Sequence, residues 1–252
     1  MILTPFFLLR FGVQSNCSSI DPMHRKPART LGRAIARVLL VLGVLAALLF
    51  VPAGRWDWPQ AWALIVGFGA FLLLYALWGI YGDPDQLTER SQVAENVKGW
   101  DKVILAVYSA LLPTLFIVAG LDAGRFRWST VPLVLRAVAW AGITLASGLI
   151  LWTATANTYL SRQARIQDDR GQEEVTSGPY RHVRHPMYLG VLIIFLLVGL
   201  TLGSWLALGP GLAIDALFIV RTAKEDRMLR EELAGYEEYA QDVRSRLVPG
   251  IW

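Results

Sequence analysis

The sequence predicts an all-α fold, a polytopic membrane helix bundle of four spans followed by a C-terminal helical hairpin. Three observations carry that expectation. Of the 252 residues, 54% are hydrophobic and 17% charged, whereas a soluble domain carries about a quarter charged. Mean hydropathy is positive, at +0.43. The apolar residues also gather into runs close to the ~20 residues that a helix needs to cross a bilayer. The 22 Gly and 10 Trp fit the same class, since Gly lets membrane helices approach and Trp sits at the interface. Disorder is excluded, and so is a disulfide scaffold, because Cys17 is the only cysteine. The net charge of +4 is read as a record of topology and not of a nucleic-acid partner.

Residues 1–33 read as an N-terminal extension. Its first part, 1–22, has neither a basic n-region nor a small-residue cleavage site, so it makes a poor signal peptide. It is expected to be dispensable or an upstream translation artefact. Met23-His24-Arg25-Lys26 then leads into the first span.

Residues 34–158 hold the four spans. The first runs from about Ala34 to Pro52, behind Arg25, Lys26, Arg29, Arg33 and Arg37. Trp56-Asp57-Trp58-Pro59 forms an interfacial turn. The second span covers roughly Gln60 to Tyr81 and is stopped by Asp83-Pro84. The third lies near Asp101 to Leu121, and the fourth near Val131 to Thr158.

Residues 159–252 have another character: a long polar segment to Pro186, an apolar stretch from Met187 to Val220, then a charged helical tail. The apolar stretch falls short of the ~40 residues plus a turn that two full spans require. It reads as a tight hairpin of short or tilted helices, turning at Gly203-Ser204. Lys and Arg concentrate in the N-terminal arm, the 82–100 loop, the 159–186 segment and the tail. The positive-inside bias therefore puts both termini and both polar segments in the cytoplasm, where one site can draw on both.

The densest polar constellation is Thr176 to Tyr188, with Gly178-Pro179 as a turn and His185-Pro186 as a break at the lip of a helix. Tyr180, Arg181, His182, Arg184, His185 and Tyr188 suit a planar heterocycle with a charged tail, and equally a basic loop on lipid headgroups. The second constellation is Arg221 with Glu225-Asp226. Arg221 and Glu225 share a helical face, either as a surface ion pair or as contacts to charged ligands. Asp215, an acid inside the apolar run, is a candidate by position. Tyr236 and Tyr239 share a face of the tail, broken at Gly235. His182 and His185 stand three apart with Glu173-Glu174 nearby, but with three histidines and one cysteine in the chain no further Cys or His completes a structural site, and no metal is expected.

As an ordered set, these residues resemble the isoprenylcysteine carboxyl methyltransferase and phospholipid methyltransferase superfamily. The matching signature is Ser177-Gly178-Pro179-Tyr180, Arg184-His185-Pro186-Met187-Tyr188, a membrane hairpin, Arg221 with Glu225-Asp226, and the Tyr236/Tyr239…Pro249 tail. The acid pair is Glu-Asp where relatives often carry two glutamates. The resemblance implies an S-adenosyl-L-methionine pocket facing the cytosol. It implies cofactor contacts at Gln167, Gln172, Glu173, Glu174, Val175, Tyr180, His185, Pro186, Met187, Tyr188 and Glu225. Arg221 and Glu225 are the implied catalytic residues, Arg221 orienting the acceptor. The implied activity is methyl transfer to a lipophilic or membrane-delivered carboxylate, amine or thiol, with the bilayer as partner. Sterol reductases resemble the chain in the Arg-His-Pro…Tyr segment and the tail, so an NADPH-dependent membrane reductase is the alternative.

Overall fold

In a computed structural model, the structure describes residues 27–84, 86, 97–161, 163–167 and 170–252. The expectation for residues 1–22 lies outside them. The described residues hold seven α-helices: α1 (Pro27–Ala53), α2 (Pro59–Tyr81), α3 (Gly99–Ala119), α4 (Leu133–Ala156), α5 (Pro186–Leu202), α6 (Leu208–Glu232) and α7 (Tyr236–Asp242). The all-helical expectation holds, and no strand occurs among them.

Four stretches are long and apolar enough to cross a membrane: Leu31–Ala53, Pro59–Tyr81, Gly99–Phe126 and Leu133–Ala156. α1 starts at Pro27, ahead of the apolar run. Proline suits a first turn, whose N–H groups lack partners in any case. α3 outruns its expected end near Leu121 and continues as a π-helical turn, Gly120–Phe126, closed by Arg127 in the left-handed region. Large side chains such as Val134 and Leu145, 73% and 76% exposed, cover the outer surface. In a membrane that surface is solvated by lipid.

The hairpin is short, as its length requires. α5 has 17 residues, or about 26 Å at 1.5 Å per residue, against a hydrocarbon core of ~30 Å. It packs between α4 and α6. A Cβ at Gly190 would lie 2.7 Å from Ile150 Cγ1 and 3.1 Å from the Ala146 carbonyl, so α5 and α4 touch only because that side chain is missing. α6 outlasts the apolar stretch and carries Arg221, Glu225 and Asp226 beyond it on one uninterrupted helix.

Because successive helices alternate in direction, the starts of α3 and α5 and the ends of α4 and α6 lie at one end of the bundle. Gln86, fully buried, donates there to the carbonyls of Ala154 (3.0 Å) and Asn157 (2.5 Å) and caps the end of α4. Gly235, at φ 80°, turns the chain from α6 into α7, which folds back over this end.

Candidate functional site

An open cleft lies at this end, bounded by the 157–188 segment, the polar part of α6 and α7. Of the residues singled out from sequence, Gln167, Gln172, Glu173, Glu174, Val175, Tyr180, His185, Met187, Tyr188, Arg221 and Glu225 all line it. Pro186 does not. It is buried in the first turn of α5 and acts by starting that helix.

An aromatic column rises from the bundle core to the cleft floor. Phe195 stacks on Phe218 at 6.2 Å, and Tyr108 meets both edge-on at 5.9 and 5.4 Å. Tyr188 sits 5.8 Å from Phe218, and His185 stacks on Tyr188 at 5.8 Å. These rings fix the floor through rigid faces that lose little side-chain freedom on packing.

Arg221 and Glu225 share the face of α6 that points into the cleft, yet they do not make the surface ion pair that their spacing allows. Arg221 is buried, and its partner is Asp101 in the first turn of α3, 2.7 Å from Arg221 Nε to Oδ1 and 3.1 Å from Nη2 to Oδ2. The guanidinium also lies 5.6 Å over the Tyr188 ring. Of these two contacts the one from Nη2 is a hydrogen bond and the one from Nε is an ion-pair approach, so the guanidinium charge is already balanced inside the protein. Glu225 instead accepts a hydrogen bond from the Tyr188 hydroxyl, which fixes the carboxylate at the cleft surface.

Asp226, one residue on, turns away from the cleft and is fully buried. Arg184 grips it with two hydrogen bonds, 2.7 and 3.1 Å, and Arg246 adds a third at 2.9 Å. Tyr236 donates to it at 3.2 Å, and His185 Nε2 lies 3.3 Å away. Burial opposes the charge on Asp226, but the hydrogen bonds from His185, Arg184 and Arg246 outweigh it and hold the carboxyl well below the usual carboxylate range. Burial pushes the Tyr236 and Tyr239 hydroxyls up, so both stay protonated donors. Arg184 also donates to the carbonyls of Val243 and Arg244, and the backbone N–H groups of Arg184 and His185 donate to Ser245 and Arg246. The two consecutive acids thus divide the work: Glu225 serves the cleft, and Asp226 clamps the tail and the His185 ring in place.

The remaining wall is self-supporting. Gln167 donates to the Tyr159 carbonyl and accepts from Arg170, which ties it into the wall. Asn157 donates to the Tyr180 hydroxyl at 2.8 Å, and Tyr239 donates to the Tyr180 carbonyl at 2.7 Å. Asp215 is buried in α6 but does not line the cleft. The sequence reading missed Asp101 and Asn157. Asp101 looks like an ordinary acid in the first turn of a helix, where the helix dipole favours one. Nothing local ties it to Arg221, 120 positions away.

Four stretches long and apolar enough to cross a membrane, with a polar cleft at one end of the bundle, suit an integral membrane protein with a candidate site at that end. Comparison with known proteins makes this more particular. Residues 135–234 match the model of the phospholipid methyltransferase family. Over this stretch, well under half of its length, the chain is similar to the membrane methyltransferases of that family. The match covers α4, the 157–185 segment, α5, α6 and Leu233-Ala234, and so most of the cleft. The cobalt-zinc-cadmium resistance protein CzcN of Cupriavidus metallidurans is 33% identical over 133 residues, 50% of this chain and 56% of that protein. The chain thus spans little more than half the length of that relative.

Proposed function

We propose that the protein is an S-adenosylmethionine-dependent methyltransferase acting on a lipophilic or membrane-delivered acceptor that presents a carboxylate, amine or thiol. One observation carries this reading. Tyr180, His185, Tyr188, Arg221 and Glu225 come from separate segments and meet in one cleft at the end of an apolar bundle.

The donor set suits the cofactor. Faces of Tyr180, His185 and Tyr188 suit an adenine ring and a cationic sulfur, because aromatic faces attract cations. Glu225, with Glu173 and Glu174 also lining the cleft, offers carboxylate oxygens to an ammonium group or to ribose hydroxyls. When bound, the cofactor supplies an electrophilic methyl group on a sulfonium. Transfer from it demands alignment and exclusion of water more than a strong base. Tyr188, held between Phe218 and His185 and donating to Glu225, keeps the floor rigid for that alignment. Arg221 orients the acceptor as the positive member of a buried ion pair. The bilayer delivers the acceptor to the cleft, which, with both termini, lies on the cytoplasmic side by the distribution of Lys and Arg.

Binding of S-adenosylmethionine and of NADPH to the detergent-purified protein tests this reading. Wild type is expected to bind S-adenosylmethionine, and Glu225→Ala and His185→Ala to weaken it by about tenfold or more, the loss of one or two charge-assisted contacts. Binding of NADPH without S-adenosylmethionine would replace this reading with the reductase.

A further inference from the structure

Asp101 stands behind the cleft wall and not in it, and it lies outside residues 135–234. It is fully buried in the first turn of α3. Its carboxylate serves two parts of the cleft at once. Oδ1 lies 2.7 Å from Arg221 Nε, and Oδ2 accepts from Arg221 Nη2 at 3.1 Å. The same Oδ2 accepts the backbone N–H of Ala164 at 2.9 Å. The Lys98 N–H donates to the Ala164 carbonyl at 3.4 Å, so this turn holds the loop at two points.

Ala164 sits within the segment that sends Asn157, Tyr159 and Gln167 into the cleft, while Arg221 enters from α6. A buried carboxylate needs its charge balanced and its lone pairs satisfied together. Since one oxygen is shared by the guanidinium and the loop amide, displacing either partner changes the acceptor left for the other.

We propose that Asp101 is a positioning residue that sets the Arg221 guanidinium and the 157–167 wall as one unit, so that neither holds its place in the cleft without the other. The proposal rests on the cleft being the methyl-transfer site. The coupling itself is a property of the ligand-free protein and is measured there.

Two variants separate coupling from two independent attachments. Asp101→Asn keeps a carbonyl oxygen for the Ala164 N–H and turns a donor toward Arg221. Ala164→Pro removes the loop donor and leaves both side chains intact. The measurements, on detergent-purified protein without ligand, are hydrogen exchange of peptides covering 157–167 and the NMR signal of the Arg221 Nε–H.

Coupling predicts that Asp101→Asn speeds exchange across 157–167 by about tenfold or more while peptides of α4 and α5 stay within about twofold. It also predicts that Ala164→Pro shifts the Arg221 signal, because coupling is reciprocal. The double variant Asp101→Asn/Arg221→Gln leaves no unpaired buried charge and is expected to match the loop exchange of Asp101→Asn alone. Unchanged loop exchange in Asp101→Asn and in the double variant, or an unmoved Arg221 signal in Ala164→Pro, would overturn the proposal. Failure of the wild type to bind S-adenosylmethionine would overturn the functional reading and leave these exchange results standing.

Discussion

The helical run from Gly99 to Phe126 carries a fully buried aspartate near each end, and the two are held by opposite kinds of partner. Asp101 meets a guanidinium beside the cleft. Asp122, at the far end, accepts from the hydroxyls of Ser129 at 2.6 Å and Ser204 at 2.5 Å and from the Leu206 N–H at 3.3 Å. Neither Asp122 nor these partners line the cleft. The far-end network ties α3 to the turn of the hairpin using neutral donors. Burying opposite charges costs desolvation that their attraction often only offsets. A bundle that merely had to close its ends could use hydroxyls at both, as it does at one. The buried charged pairs, Arg221 with Asp101 and Arg184 with Asp226, are gathered at the cleft end.

The largest effect that would break this contrast is expected at Asp226. Asp226→Ala leaves Arg184 buried without its carboxylate and frees the tail from α6. Removing one partner of a buried pair costs about 3–5 kcal/mol, so unfolding in detergent should shift by that amount and S-adenosylmethionine binding should be lost. The pH dependence has a definite sign. The carboxyl of Asp226 is depressed in the folded protein, so its contribution is fully present above the unfolded value of about 3.9 and is lost as pH falls below it. A midpoint for wild type that stays flat between about pH 6 and 3, with Asp226→Ala unchanged in stability, would remove the distinction between the two ends.

The contrast also explains what could be read from the sequence. The four spans were legible because lipid imposes one requirement, length in apolar residues, that a linear run records directly. Tyr180, His185, Tyr188, Arg221 and Glu225 were legible because they lie in short motifs at helix edges. The pairing of Arg221 was not, because its spacing to Glu225 suggests a neighbour on the same helix, while the actual partner, Asp101, comes from a span 120 positions earlier. Pro186 was placed among the cofactor contacts by its motif, yet in the fold it starts α5. The run past Leu121 into the π-helical turn was hidden for a related reason. Asp122 and Arg125 look like the polar end of a span, and Asp122 becomes a helical residue only once Ser129 and Ser204 satisfy it.

A smaller effect is expected at the far end itself. Asp122→Asn keeps one carbonyl acceptor and adds an N–H that must find a partner among the hydroxyls and amides around it. Disturbing such a neutral network costs about 1–2 kcal/mol, visible in the unfolding midpoint. S-adenosylmethionine affinity should stay within about twofold, since Asp122 is held by neutral donors and does not line the cleft. A tenfold loss of affinity in this variant would make the far end part of the machinery.

The smallest effect should come from Lys98, three residues before Asp101 in the turn that faces the loop. Its ammonium lies 2.7 and 2.8 Å from the two oxygens of Glu232, a shorter contact than many buried pairs make. Both side chains are nevertheless 35% and 40% exposed. Water competes for both charges, and holding two long side chains together costs rotamer freedom, so exposed pairs of this kind contribute only about 0–1 kcal/mol. Lys98→Ala should therefore lower stability by about 0.5 kcal/mol at low salt, and the difference should vanish near 1 M salt, where the screening length falls to about 3 Å. Its backbone N–H, which holds the Ala164 carbonyl, survives the substitution, so exchange across 157–167 should not change. If Lys98→Ala loosened that segment as much as Asp101→Asn does, proximity to the loop rather than a buried shared carboxylate would be what holds the wall.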